Sequence, residues 1–302
     1  MTDRIGFIGL GQMGGSMAER LIRDDTELHV YDVSPEARDR FVALGAIAHG
    51  SPKEVADAAP IVLACLPKPE ISAEVAHGAD GVIHGGAIRV YAEMSTIGKT
   101  VIEELAEKLA GAGIVMADAP ISGGPPAARE GRLAMMLSAP QDAVDQVSPL
   151  LARIGRQVYV VGDRVGQAQI MKIVNNMVMA ANMVVASEGL VIGAKAGLDA
   201  GAMMEVLRAG TGHSAAASDI LARAALPGTF DFGAHLSIVE KDMRLAVKEA
   251  EALGVPIPTI GRAGQVWTDA VKDGRGSEDF SAIIKSVEIP AGAVVRLAGA
   301  PR

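Results

Sequence analysis

The sequence predicts an α/β chain in two parts: a doubly wound, mostly parallel domain over residues 1–163, then an all-helical domain over 164–302, joined by a long helix. Three observations predict it. Short Val- and Ile-rich runs alternate with amphipathic stretches up to Gly162 and then cease. From residue 164 to about 196 one stretch is apolar on nearly every side, the mark of a buried helix. Apolar residues make up 49% of the 302 but aromatics only 3%, so the core must be aliphatic and Met-rich, which suits parallel sheets and helix bundles.

The strand-like runs are "RIGFIGL", "ELHVYD", "PIVLACLP", "RVYAEMS", "GIVMADAP", "RLAMMLSA" and "QVYVVGD". Helix-like stretches such as "SPEARDRFVALG" and "GKTVIEELAEKLAGAG" separate most of them. Ser34 before Pro35 and Ser51 before Pro52 read as helix caps followed by first-turn prolines. Beyond the long helix, further helices are expected at about 199–209, 214–225, 233–253, 257–272 and 277–287. The tail "IPAGAVVRLAGAPR" carries no periodic pattern and is expected to be irregular.

Composition excludes several classes. Net charge is -8 and no basic run occurs, so no nucleic acid or anionic membrane is expected as a partner. The single cysteine, Cys65, forms no intramolecular disulfide and reads as a buried, inert thiol. The six histidines are scattered without metal-ligand spacing, so no metal is expected; of them only His213 reads as a candidate pocket residue. The chain enters a strand at once, with no signal peptide, and the apolar run "MVMAANMVVA" is too short to span a bilayer; a cytoplasmic location is expected.

The first chemical signal is "FIGLGQMGGSMA", which follows a strand and opens a helix. In that setting Gly9-x-Gly11-x-x-Gly14 is a dinucleotide turn of the Rossmann type. Gly9 makes the turn, Gly11 admits the pyrophosphate and Gly14 lets helix and strand pack closely. Gln12 and Met13 lie at the helix N-terminus, where N–H groups and the dipole meet phosphate. Asp32 closes the second strand, where a carboxylate accepts the adenosine ribose hydroxyls and repels a 2′-phosphate, favouring NAD; Asp32 as a helix cap is the competing reading, and nearby Arg38 keeps NADP open. Leu66-Pro67 and Thr96 end later strands and should face the cofactor; Thr96 reads equally well as a cap.

The second signal is Lys172 in the apolar stretch "QAQIMKIVNNMVMA", with Asn175 and Asn176 at i+3 and i+4 on the same face. Burying an ammonium and two amides in an apolar helix is costly unless they meet partners. A lysine that snorkels to water is the alternative. As an acid/base for alcohol oxidation the lysine is apt, because partial desolvation brings its pKa toward neutrality. Asn176 would hold the lysine or a substrate oxygen without adding charge.

With four motifs in order, "GLGQMGGSMA", "DAPISGG", "GQAQIMKIVNN" and "KDMRLA", the chain resembles the β-hydroxyacid dehydrogenase family, that of 3-hydroxyisobutyrate dehydrogenase and tartronate semialdehyde reductase, over about residues 4–288. The resemblance implies hydride exchange between NAD and a small 3-hydroxy acid, with Lys172 as acid/base. It implies that Ser122, Gly123 and Gly124 bind a substrate carboxylate, that Asn175 and Asn176 lie at the substrate site and that Lys241 lies on the cofactor side. Read alone, Lys241-Asp242 would be a solvated pair. Reduction of another C=X bond and non-catalytic dinucleotide binding stay as alternatives, although the related imine reductases lack this lysine. Departures are Ala168 where the family has glycine, Pro125-Pro126-Ala127-Ala128 after the "SGG", and the tail; the two prolines, with φ fixed and no N–H, are expected to stiffen the exit of a loop. The many apolar helices of the second part predict a homodimer or homotetramer.

Overall fold

The structure, a computed structural model, describes residues 3–300. It divides into two compact units, 1–172 and 173–302.

The first unit is built on a nine-stranded sheet. Its strands are β1 (Asp3–Ile8), β2 (Thr26–Tyr31), β3 (Ile47–Ala48), β4 (Ile61–Ala64), β5 (Val90–Glu93), β6 (Val115–Asp118), β7 (Ile121–Ser122), β8 (Leu133–Ser138) and β9 (Gly155–Gly162). The parallel part runs β3-β2-β1-β4-β5-β6, the order of a dinucleotide-binding sheet. Beyond β6, strand β8 pairs antiparallel with both β6 and β7, and β9 returns parallel to β8. Two strands have only two residues each, β3 and β7, too few for any periodicity to announce them.

Alternation explains the two cores of this unit. Ile5, Phe7, Leu63 and Ala92 point into one aliphatic cluster, while Ile8, Val62, Ala64 and Tyr91 point into the other. Both faces are therefore apolar, as a sheet covered by helices on each side requires. The covering helices are α1 (Gln12–Glu19), α2 (Pro35–Ala43), α3 (Pro52–Ala58), α4 (Pro69–His77), α5 (Lys99–Gly111), α6 (Gly124–Glu130) and α7 (Gln141–Ile154). Ser34 and Ser51 cap α2 and α3 by accepting the N–H groups of Ala37 and Glu54, as their sequence predicts.

The long helix α8 (Gln167–Lys195) contains the division between the units. This division falls inside the helix because the first turn of α8 is hydrogen-bonded to side chains of β6 and β8. By length and composition α8 is able to span a bilayer, although its apolar run reads as too short in sequence. Ala180, Met183, Val184, Leu190 and Val191 on this helix are buried in the core of the second unit, which makes it a core helix.

The second unit adds α9 (Ala200–Ala209), a π-type helix at Ala216–Ala225, α10 (Leu236–Ala252), α11 (Pro258–Ala270), a 3-10 turn at Phe280–Ile284 and α12 (Lys285–Ala291). Its core surrounds the chain's one tryptophan, Trp267, which is fully buried and donates to the Ala180 carbonyl at 3.3 Å. The helix expected at 277–287 instead starts at Phe280, after Asp279 accepts the Ser281 N–H, and continues as α12 to Ala291. The tail beyond Ala291 is irregular, as expected, and it is tied down. Val295 is buried, its N–H and the Arg296 guanidinium both reach Glu288 at 2.7 Å, and the Leu297 N–H donates to the Leu226 carbonyl at 3.0 Å.

Candidate active site

The turn between β1 and α1 separates its three glycines by function. Gly9 has φ of 92°, and a Cβ there would overlap the Cys65 carbonyl oxygen. A Cβ on Gly14 would overlap the Gly9 carbonyl oxygen. These two are glycine because the turn itself leaves no room. A Cβ on Gly11, by contrast, meets nothing within 4 Å. Packing does not demand a glycine at Gly11, and the space over the N-terminus of α1 is open there; that helix has no side-chain cap and no acidic residue in its first turn. Gln12 and Met13 follow in that turn. This cradle fits a pyrophosphate held by backbone N–H groups.

Asp32 closes β2 and holds the same turn from the other side. One carboxylate oxygen accepts the Leu10 N–H at 2.6 Å, and the other accepts the Ser34 N–H at 2.9 Å. Arg38 donates to the Asp32 carbonyl at 2.6 Å, so its charge stands beside this corner. Ser34, not Asp32, is the cap of α2; Asp32 ties the glycine turn to the N–H of that cap residue.

The ends of β4 and β5 are linked to each other. Ser95 Oγ accepts the Leu66 N–H at 2.7 Å, ahead of Pro67, and the Ser95 N–H donates to Glu93 at 3.0 Å. Glu93 is fully buried, and burial pushes its carboxyl above the ordinary range. Burial, with the Glu93 charge, pushes the Cys65 thiol up to about 12, so it is no thiolate nucleophile although the residue keeps some surface.

The "DAPISGG" stretch forms the end of β6, all of β7 and the start of α6. Ser122 ends β7; Gly123 and Gly124 follow with φ of 137° and 71°, values that exclude ordinary side chains. Pro125 and Pro126 do not stiffen a loop. They occupy the first turn of α6, where the missing N–H groups need no helical partner.

Asp118 and Gln169, which sequence reading passes over, form the best-satisfied buried group of the unit. Asp118 Oδ2 accepts the N–H groups of Gly166 and Gln169 at 3.0 and 2.9 Å, and the Ser138 hydroxyl at 3.3 Å. Asp118 Oδ1 accepts Gln169 Nε2 at 2.9 Å. Burial raises the Asp118 carboxyl against the pull of these donors. The same Nε2 donates to the Ser95 carbonyl at 3.0 Å, while Gln169 Oε1 accepts the Ile97 and Gly98 N–H groups at 2.9 and 3.1 Å. Ser138 Oγ accepts the Ala168 N–H at 3.0 Å, and Ala168 itself is buried without strain on that bond. Thr96 lies inside the loop that Gln169 grips. One turn further, Lys172 is only 8% exposed.

In the second unit, Asn175 Nδ2 donates to Asn176 Oδ1 at 3.1 Å, and Asn176 Nδ2 donates to Asp242 Oδ2 at 2.5 Å. Lys241 Nζ lies 3.2 Å from Asp242 Oδ1, close enough to pair but off the hydrogen-bonding direction. Asp242 is buried, so Lys241-Asp242 is not the solvated pair that its sequence suggests. His213 is exposed, and its ring lies 3.5 Å from the Ser218 hydroxyl. Among the described residues no group of three His, Cys, Asp or Glu is placed to hold a metal ion.

Comparison with known proteins follows these two halves. Residues 4–162 match the NAD-binding domain of 6-phosphogluconate dehydrogenase. Residues 166–287 match the NAD-binding domain of NADP-dependent 3-hydroxyisobutyrate dehydrogenase. The chain is 34% identical to 2-(hydroxymethyl)glutarate dehydrogenase of Eubacterium barkeri over 93% of its own length and 94% of that protein. It is 29% identical to 2-hydroxy-3-oxopropionate reductase of Escherichia coli over 95% and 98%. A solved structure of Mycobacterium tuberculosis 3-hydroxyisobutyrate dehydrogenase with L-serine superposes with a TM-score of 0.87 at 26% identity, covering 95% and 99% of the two chains. A glycine cradle for NAD(P) joined to a polar-lined long helix, matched end to end by such enzymes, places this chain in the β-hydroxyacid dehydrogenase family.

Proposed function

We propose that the chain transfers hydride between NAD and a small 3-hydroxy acid of the 3-hydroxyisobutyrate kind, with Lys172 as general acid/base. The observation that carries this is the burial of the Lys172 ammonium in α8, one turn beyond a helix start sealed by Asp118 and Gln169. An ammonium is kept in so apolar a helix at a cost that a task repays. A bound nicotinamide supplies the hydride acceptor. Lys172 takes the hydroxyl proton in the oxidative direction and returns it when a semialdehyde or 3-oxo acid is reduced.

Ser122 and the N–H groups of Gly123 and Gly124 receive the substrate carboxylate, at the one place in "DAPISGG" where the backbone is free of side chains. Asn176, held by Asn175 and Asp242, presents its amide to the substrate, and Lys241 serves the cofactor side. Gly9, Gly11, Gln12, Met13 and Gly14 hold the pyrophosphate; Asp32 takes the ribose; Leu66, Pro67 and Thr96 flank the nicotinamide end. That the relatives are named for hydroxy- and oxo-acids supports a carboxylate-bearing substrate. The protein works as a cytoplasmic homodimer or homotetramer in this reading, supported by the exposed apolar side chains of α8.

Initial rates with NAD and NADP against short 3-hydroxy acids test the assignment. Lys172→Ala should lower kcat by about 10²–10⁴ while cofactor binding and folding persist. Near-normal turnover in the folded variant would overturn the role of the lysine. Rates confined to NADP would overturn the role of Asp32, and equal rates on substrates lacking a carboxylate would overturn that of Ser122 to Gly124.

A further inference from the structure

We propose that Asp118 and Gln169 are positioning residues: together they lock the first turns of α8 to the Ser95–Gly98 loop and so fix where the Lys172 ammonium stands. The inference rests on the reading of Lys172 as acid/base. Its ground is the direction of every hydrogen bond in the group. Asp118 is an acceptor only, so the Gln169 amide must turn its nitrogen toward it. That choice aims the amide oxygen at the Ile97 and Gly98 N–H groups and the second nitrogen hydrogen at the Ser95 carbonyl. One carboxylate thus sets the polarity of a chain of bonds that begins at the backbone of α8, at Gly166 and Gln169, and ends on the loop that carries Thr96.

A helix start needs only a cap, and Ser138 already supplies one by accepting the Ala168 N–H. Capping explains neither the full burial of Gln169 nor the use of all four of its polar contacts on a loop and a strand end. Registration of α8 against that loop explains both. Lys172 follows Gln169 by three residues, within one turn, so a shift of Gln169 carries Lys172 with it. Small misplacement of an acid/base is costly because catalysis needs a near-attack geometry.

The test is a reversal of polarity. Gln169→Glu leaves two carboxylates facing each other, and Asp118→Asn sets an amide nitrogen against the Gln169 nitrogen; each single variant conflicts. In the double variant Asp118→Asn/Gln169→Glu, an amide again donates to a carboxylate and the net charge is unchanged. The bond to the Ser95 carbonyl is lost and an oxygen–oxygen contact replaces it, so recovery is partial. With folding checked by thermal melting, each single variant should lose at least tenfold in kcat. KM for NAD and for the hydroxy acid should stay within about threefold. The double variant should recover at least threefold over the weaker single. Folded single variants with kcat within threefold of wild type would overturn the proposal, and so would a double variant no more active than the weaker single. If the single variants do not fold, Gln169→Met serves instead, since it removes every side-chain bond from Gln169 to the Ser95–Gly98 loop without adding charge: at least a tenfold loss in kcat with KM within about threefold supports the proposal, and kcat within threefold of wild type overturns it. Activity retained in Lys172→Ala would overturn the reading on which this rests, whereas an inactive Lys172→Ala beside fully active Asp118 and Gln169 variants would overturn only the positioning role.

Discussion

The two units hold their polar groups in different ways. In the first, apart from the buried Lys172 at its end, the candidate site is made of backbone: glycine turns, strand ends and N–H groups tied to Asp32, Ser95, Asp118 and Gln169. In the second, it is made of side chains standing on helices, with Asn176, Lys241 and Asp242 held to one another. A backbone site has its geometry fixed by main-chain sterics, so a methyl group is decisive there. A site on helices depends on how the helices pack, and polar partners must do what sterics does not.

The sharpest way to break this contrast lies inside the glycine turn. Gly14→Ala drives a Cβ into the Gly9 carbonyl, with backbone on both sides and nothing to give. Loss of folding, or at least a hundredfold loss of NAD affinity, is expected. Gly11→Ala has open space around it, so the melting temperature without cofactor should move by no more than about 1 kcal/mol in equivalent stability. Its NAD affinity should still fall tenfold or more, because the methyl stands where the pyrophosphate approaches. Titration of both variants by NADH fluorescence, beside their thermal melts, checks the pair. Normal binding by Gly11→Ala would show that this space is not the cofactor's.

The second unit should respond to charge on its surface rather than to a methyl in a turn. Val178, Val185 and Ile192 are exposed at seven-residue spacing along α8, with Ile192 70% exposed. Seven-residue spacing on a helix is the seam of a helix-to-helix contact. In the homo-oligomer proposed above, Val185→Glu with Ile192→Glu should convert the oligomer to a monomer in sedimentation. Intrinsic stability of the folded chain should change by about 0.5 kcal/mol or less, as for other exposed sites. Trp267, alone in the core of that unit, gives a fluorescence signal for its unfolding. An assembly unchanged by both charges would remove this stripe from the interface.

The same contrast explains what was legible in sequence. The dinucleotide turn is legible because its logic is local: three glycines within six residues, between a strand and a helix. Lys172 and its asparagines are legible because a polar face stands out on an apolar helix. Asp118 and Gln169 are not, because they lie 51 residues apart and each has an innocent local reading, a strand end and a helix residue. Pro125 and Pro126 read as a stiff loop because the two-residue strand β7 before them is too short to see, so the start of α6 is hidden. The tail beyond Pro290 carries no period, and bonds from Glu288 and Leu226 order it instead.

Glu93 gives the smallest and most specific effect, a trend with pH rather than a loss. It stands at the end of β5, fully buried, and accepts the Ser95 N–H at 3.0 Å and the Tyr91 hydroxyl at 3.4 Å. Burial outweighs the donors around it, so its folded-state pKa lies above the ordinary carboxylate value of 4.5. Below that value Glu93 is protonated in both folded and unfolded chains and costs nothing. As pH rises through the window from the ordinary value to the raised one, the unfolded chain releases its proton first, and stability falls. Glu93→Gln keeps an acceptor for the Ser95 N–H and never ionises. The stability of the wild type relative to Glu93→Gln should therefore decline as pH rises above the ordinary value of 4.5, as read from paired denaturant titrations. A rise over that range would mean that the donors, and not burial, govern this strand end.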